Sequence, residues 1–219
     1  MKIWAALCLL LLGGLAQAGE WELQSSRDGI SVYTADIPGQ DLRAFRGVTT
    51  LAAPMKSVVA LLADTSNMPN WFYHMKAARE LDLGSQETYR YLVIAGIWPV
   101  SDRDAVVRVS SVQQADGSIV MTAIGQPDKY PRQSCCVRIP RMESSWTVKA
   151  VDAGHTEVML TTKSHPGGAL PLWIANLVAT DMPRKTLVAL RGEVRKPAYA
   201  NVDVQGSASS REFIARFRF

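Results

Sequence analysis

The chain has 219 residues, and its 24 lysines and arginines against 20 aspartates and glutamates give it a formal net charge of +4. This length fits one domain with a sizeable core. The basic residues form no dense block, so we expect no nucleic-acid partner. The three histidines (His74, His155 and His165) and the three cysteines show neither zinc-type spacing nor a nucleophile motif, so we expect no metal and no other cofactor.

Residues 1–18 have the pattern of a secretory signal peptide. Lys2 supplies the positive start, residues 3–15 form an apolar run, and Ala16-Gln17-Ala18 fits a small-x-small cleavage site. The apolar run is too short to be a good membrane span. We therefore expect an exported chain that begins near Gly19 and resides in the periplasm.

Two cysteines, Cys135 and Cys136, remain after removal of this segment, and they are neighbours. Export places them in an oxidising compartment, but adjacent cysteines form a bridge only through a strained ring. The sequence therefore predicts two part-buried thiols on a strand and no stabilising disulfide.

Short apolar runs separated by turn residues predict eight or nine strands joined by hairpin-length links, hence a mostly antiparallel sheet. The candidate strands are residues 29–33, 42–51, 78–83, 88–94, 105–112, 119–124, 134–139, 144–151 and 156–163. Gly47 is interpreted as the site of a bulge. One short amphipathic helix is predicted after Pro54, where a first helical turn tolerates proline.

Residues 167–196 predict a long helix near the end of the chain. Its apolar stripe is interrupted by a polar interval and by Pro183, at which we expect a kink. A one-sided helix of this length needs a broad apolar surface, and the preceding strands supply it. Because a sheet of many twisted strands curls, one helix cannot fill its concave face, and we expect an apolar cavity in the space that remains. The predicted class is α+β.

The segment 197–219 differs from the rest in composition. Phe213, Ala215, Phe217 and Phe219 alternate as strand residues would, so we expect an edge strand or a mobile tail. A terminal phenylalanine with this alternation is similar to the assembly signal of outer-membrane barrels, but one such segment does not make a barrel.

Several motifs in order along the chain resemble the START family, the lipid-transfer domains related to the steroidogenic acute regulatory protein. They are IWPVSDRDAVV from Ile97, VR at Val137, SSW at Ser144, PGGALPLWIAN from Pro166 and MPRKTLVALR from Met182. They define a START-like domain over residues 19–196. The resemblance implies the helix-grip fold, in which a curved, mostly antiparallel sheet wraps a long C-terminal helix over a tunnel for one lipid or sterol. It implies no catalysis.

Two positions depart from the family pattern. Phosphatidylcholine-binding members carry a base and an acid where this chain has Met68 and Phe72, so a phosphocholine site of that design is not expected. In sterol-binding members a second arginine shares a strand face with the first. Here Arg108 lies five residues after Arg103, an odd interval that places the two on opposite faces unless a bulge intervenes. Which of them faces the cavity is left open.

The candidate ligand-binding residues combine rigid aromatic and aliphatic side chains with one polar anchor. They are Trp71, Tyr91, Trp98, Arg103, Trp146, Leu170, Trp173, Ile174 and Leu177. A buried arginine must be paired or must contact a polar ligand group. The alternative for Arg103 is an ion pair with Asp102 or Asp104.

We therefore expect a non-enzymatic carrier of one lipid or sterol-like molecule in the cell envelope. Basic residues on the long helix are expected to hold it near anionic membrane surfaces; these are Arg184, Lys185, Arg191 and Arg195. One alternative is a cyclase-type enzyme in which Arg103 acts with Tyr91 or Tyr130. A second is an envelope scaffold whose cavity is filled by side chains. The identity of the lipid and the oligomeric state are left open.

Overall fold

The fold is described from a computed structural model, which covers residues 20–40 and 42–219. The expected signal peptide lies outside these residues. The strands are β1 (Glu22–Arg27), β2 (Ile30–Ala35), β3 (Ala44–Leu51), β4 (Met75–Leu81), β5 (Thr88–Ile94), β6 (Arg103–Gln113), β7 (Ile119–Gly125), β8 (Val137–Arg138), β9 (Arg141–Ala150) and β10 (Thr156–His165). The helices are α1 (Met55–Ala63), α2 (Leu172–Glu193), α3 (Pro197–Ala200), α4 (Val202–Gln205) and α5 (Ala208–Ile214), with 3₁₀ helices at Thr65–Asn70 and Pro127–Lys129. None of the helices in this part of the chain is long and apolar enough to cross a membrane.

All ten strands belong to one sheet. Nine follow the order β1-β2-β3-β10-β9-β7-β6-β5-β4, and β8 pairs with β6. Every pairing is antiparallel except the short one between β8 and β6. The long helix α2 packs on β2 and β3. The predicted α+β helix-grip fold is therefore confirmed.

Two details of the strands differ from the prediction. The strand β1 was not predicted, because its residues are mostly exposed and polar and so leave little hydrophobic alternation. The predicted strand over 134–139 shortens to β8, because the chain turns at Ser134–Cys136. Cys135 and Cys136 lie in this turn and form a disulfide with each other, which corrects the expectation of two free thiols on a strand.

Gly47 allows a close approach of α2 to β3. The register of β3 with β2 and β10 is continuous through Gly47, so the predicted bulge is absent from these two pairings. A Cβ atom at this position would lie 2.8 Å from Leu187 Cδ1 and 3.0 Å from Pro183 Cβ. The glycine thus lets the helix backbone approach the sheet more closely than any side chain would allow.

The two halves of α2 make different contacts. In the C-terminal half, Leu187 and Leu190 are fully buried against the sheet, and the Arg191 guanidinium donates hydrogen bonds to the Asp28 carbonyl (3.0 Å) and to Thr49 Oγ1 (2.9 Å). In the N-terminal half, Ile174 and Leu177 face the empty side of the concave sheet. Pro183 lies between the halves, and the kink expected there stays a prediction.

The last 23 residues fold into α3, α4 and α5, which pack on α1. Ile214 and Tyr199 are buried in the main core, and the Tyr199 hydroxyl donates to Asp64 Oδ2 at 2.9 Å. The expected edge strand or mobile tail is therefore wrong. Phe213 and Phe217 are four residues apart, a spacing that fits one face of a strand and also one face of a helix. The Ser207 hydroxyl accepts a hydrogen bond from the Ser210 N–H at the start of α5.

Candidate ligand cavity

A cavity of about 950 Å³ lies between the concave face of the sheet and the N-terminal half of α2. It extends along β6 from Arg103 to Gln113, and its walls are mostly apolar. Its volume is at the upper end of the roughly 300–1,000 Å³ that is usual for small-molecule sites. The predicted apolar cavity is thus present, and its volume contradicts a cavity filled by side chains.

Six of the nine predicted site residues line this cavity. They are Trp71, Arg103, Trp146, Leu170, Ile174 and Leu177. The rings of Trp71 and Trp146 meet edge to face, with centroids 5.9 Å apart, and form one wall. The Trp71 indole N–H is buried without a hydrogen-bond acceptor in the described part of the chain, so one donor beside the cavity is unused.

The other three predicted site residues, Tyr91, Trp98 and Trp173, lie outside the cavity. Tyr91 is on the convex face of β5, since Arg90 and Leu92 take the concave face. The loop that carries Trp98 leaves this side chain 87% exposed. Trp173 is 55% exposed, because its neighbour Ile174 occupies the inward side of α2. The prediction that these three line the cavity is therefore wrong.

Arg103 is a buried base that faces the cavity and forms no ion pair with any described residue. It is 8% exposed, and its Nη1 donates to the Ser101 carbonyl at 2.5 Å. Both neighbouring carboxylates have other partners, since Asp102 accepts from Lys76 at 2.6 Å and Asp104 accepts from Arg138. Burial lowers the pKa of the Arg103 guanidinium. The other N–H groups of this predicted anchor have no hydrogen-bond partner among the described residues, so they can donate to a polar group inside the cavity.

Arg108 lies on the opposite face of β6, as the odd interval predicts. The β5–β6 register is continuous from Arg103 to Val109, so no bulge changes the alternation. Arg108 Nη1 donates to Glu87 Oε1 at 2.9 Å on the convex surface. Of the two arginines, Arg103 is the one that faces the cavity.

The convex side of β6 carries a buried ion pair directly behind Arg103. Arg138 donates to both carboxylate oxygens of Asp104 at 2.9 Å, and both side chains are 1% exposed. Hydrogen bonding to Asp104 raises the pKa of Arg138. Burial, and then the nearby Asp104, raise the pKa of Tyr91 to about 12. Tyr91 and Tyr130 pack against each other on this side, so the sheet separates both from Arg103.

A smaller pocket of about 310 Å³ marks one end of the cavity. The loop before β6 contributes Pro99, Val100 and Ser101 to it, and the segment before α2 contributes Gly168, Ala169 and Pro171. Arg103 lines both the pocket and the main cavity. We call this end the mouth.

Some lining residues were not predicted from the sequence. Ser144 and Thr162 are buried on adjacent strands with hydroxyl oxygens 2.9 Å apart, and both line the cavity. Phe213 and Phe217 line the end opposite the mouth. Their spacing of four residues was a usable signal, whereas nothing local marks the two hydroxyls. No cluster of three or more metal-ligating side chains occurs among residues 20–40 and 42–219.

The model of the START domain matches residues 4–184 of the chain. The chain belongs to this family. An uncharacterized protein of Pseudomonas aeruginosa is 30% identical over 185 residues, which are 84% of this chain and 92% of that protein. The bovine phosphatidylcholine transfer protein is 25% identical over 73% of this chain and 76% of its own length.

A solved START relative has the same fold. The crystal structure of a STAR-related lipid transfer protein fragment from Xanthomonas axonopodis superposes with a TM-score of 0.73 at 35% identity. The match covers 80% of this chain and 99% of the fragment. START membership and these relatives support lipid binding or transfer.

Proposed function

We propose that this START protein binds a single amphipathic lipid, with the apolar part in the cavity and a polar oxygen at Arg103, and carries it between sites in the cell envelope without catalysis. The observation that carries the proposal is a buried arginine that forms no ion pair with any described residue and faces a mostly apolar cavity of about 950 Å³. The envelope location rests on the signal-peptide pattern of residues 1–18.

Two physical terms act together in this arrangement. A lipid chain leaves water for the cavity with a gain of roughly 25 cal/mol per Å² of apolar surface. A buried guanidinium without a partner is costly, and an acidic or carbonyl oxygen on the ligand would relieve that cost. Met68 and Phe72 line the cavity as apolar residues, so neither position offers a charged group to a ligand head group.

The positions of the tyrosines support a carrier over a cyclase-type enzyme. The cyclase hypothesis needs Arg103 and a tyrosine to converge on one substrate. Tyr91 and Tyr130 pack against each other on the convex face, 5.4 Å between ring centroids, with the sheet between them and the cavity. The pKa of Tyr91, raised to about 12, is also too high for proton transfer near neutral pH.

A cavity-filling substitution tests ligand binding. Ala78 and Ala77 are neighbours on β4, but Ala78 lines the cavity and Ala77 is exposed. Ala78→Phe should therefore displace the lipid, while Ala77→Phe adds the same side chain and leaves binding unchanged. We expect one lipid per chain, seen by native mass spectrometry of protein purified from the envelope, in the parent and in Ala77→Phe only. A parent protein that copurifies with no lipid and takes none from vesicles would contradict the proposal.

The mouth supports a proposal about membrane contact. Trp98 projects from one of its loops, and Leu172 and Trp173 follow the other, all three exposed. Exposed tryptophans beside an opening suit the interfacial region of a bilayer. The basic side chains of α2 are less available than the sequence indicated, since Arg184 pairs with Asp28 at 2.6 Å and Lys185 with Asp181 at 2.8 Å. We therefore assign the main membrane contact to the apolar mouth.

Trp98→Ala should weaken binding to phosphatidylglycerol-containing vesicles several-fold, because the side chain loses its burial in the interface. The control is Val204→Ala, since Val204 is 79% exposed on α4. Co-sedimentation at low and high salt measures both variants. Two outcomes would contradict the assignment to the mouth. One is an equal loss of vesicle binding in both variants, and the other is a parent protein whose vesicle binding disappears at high salt.

A further inference from the structure

The C-terminal extension forms the end of the cavity opposite the mouth. Ser209, Ser210, Phe213 and Phe217 line that end, where it meets the last residues of β6. Phe213 and Phe217 contact each other with tilted rings, 5.4 Å between centroids, and pack against the main core. These residues follow the segment matched by the START model, which ends at residue 184. This wall is therefore built by a part of the chain that lies beyond the match to the family model.

Specific contacts hold the extension in this position. The Gln113 amide at the end of β6 donates to the Arg218 carbonyl at 2.6 Å and accepts from the Arg218 N–H at 3.0 Å. Lys56 on α1 pairs with Asp203 on α4. Ile214 is 3% exposed against the core. Contacts at both its ends and its middle make the extension part of the cavity wall.

The two ends of the cavity lie far apart along one strand. Arg103 begins β6 and Gln113 ends it, ten residues later, which corresponds to about 33 Å at roughly 3.3 Å per residue. A lipid with its polar oxygen at Arg103 would extend its chain along β6 towards the phenylalanines. Between these ends the lining residues on β6 include Val107 and Val109, and Met121 on β7 adds to the same apolar wall.

We propose that Phe213 and Phe217 contact the end of the ligand's hydrocarbon chain and set the longest chain that the cavity accepts. This inference rests on the proposed function, since it requires a chain-bearing lipid with its polar end at Arg103. It adds a chain-length determinant to that function. The ligand class is an acyl lipid with an acidic or carbonyl head group.

A homologous series of saturated fatty acids tests the inference with the full mature chain. Each buried methylene contributes about 0.8 kcal/mol, so affinity should rise about fourfold per added methylene until the chain reaches the phenylalanines. Beyond that break the affinity should stay level or fall. Phe217→Ala should move the break to chains at least two methylenes longer, and Phe217→Trp should move it to shorter chains.

The control is Phe219→Ala, because Phe219 is exposed and does not line the cavity. Thermal unfolding of each variant identifies any that fails to fold. If Phe217→Ala fails to fold, the milder change Phe217→Leu takes its place. If fatty acids bind and the break is the same in all variants, the chain-length inference is wrong although the proposed function stands. If no fatty acid binds the parent protein, the proposed function itself fails for acyl lipids.

Discussion

Replacing Asp104 with alanine should lower the free energy of unfolding by about 3–5 kcal/mol, because the change leaves a buried guanidinium without its counter-charge. The carboxylate accepts two hydrogen bonds from Arg138, and both side chains are 1% exposed. Arg138 also donates to the carbonyls of Pro127, Tyr130 and Pro131, so the pair fixes the loop before β8 to β6. Urea denaturation of the mature chain measures the loss.

Arg108→Ala is the matched control for this prediction. Arg108 lies on the same strand and the same face, but its pair with Glu87 is nearly half exposed, so its loss should cost less than about 1 kcal/mol. The double variant Asp104→Leu with Arg138→Met removes both charges and should recover much of the stability. Equal losses for Asp104→Ala and Arg108→Ala would show that burial does not govern this pair.

Arg103→Leu should change binding and stability in opposite directions. Affinity for a long-chain fatty acid should fall by at least about 30-fold, since a buried charged contact of this kind is worth roughly 2 kcal/mol or more. The ligand-free protein should unfold at a higher temperature, because a desolvated charge that has no counter-ion among the described residues has been removed. Isothermal titration and thermal denaturation measure the two effects.

The comparison of two ligands makes the Arg103 prediction specific. The primary alcohol of the same chain length lacks the carboxylate, so its affinity should change much less in Arg103→Leu. Arg108→Leu should leave the affinity for both ligands unchanged, since Arg108 is on the convex face. An equal fall for acid and alcohol would mean that the substitution altered the shape of the cavity instead.

The fold could be predicted because its signals are long and local. Hairpin-length links indicate antiparallel neighbours, and the one-sided stripe of 167–196 requires a sheet beneath it. The cavity could be predicted because one helix is too small to cover the whole concave face of a large twisted sheet. The alternation that separates Arg103 from Arg108 also held, because the β5–β6 register has no bulge at that point.

The errors in the site have physical causes that the sequence does not display. Tyr91 points to the convex face because alternate residues of β5 face opposite sides, and only the strand register decides which residues face the cavity. Trp98 and Trp173 are large and apolar, which usually indicates burial, yet both border the mouth. The spacing of the C-terminal phenylalanines fits a strand and a helix equally well. The helix forms because it packs on α1, a contact between distant parts of the chain.

The contact at Gly47 divides α2 mechanically into a clamped end and a free end. Leu187 and Pro183 lie so close to β3 that the clamped end cannot slide without separating from the sheet. The free end, from Leu172 to Val178, instead borders the cavity through Ile174, Leu177 and Val178. We therefore expect any movement of this helix during ligand exchange to occur at the free end, with the clamped end as a fixed pivot.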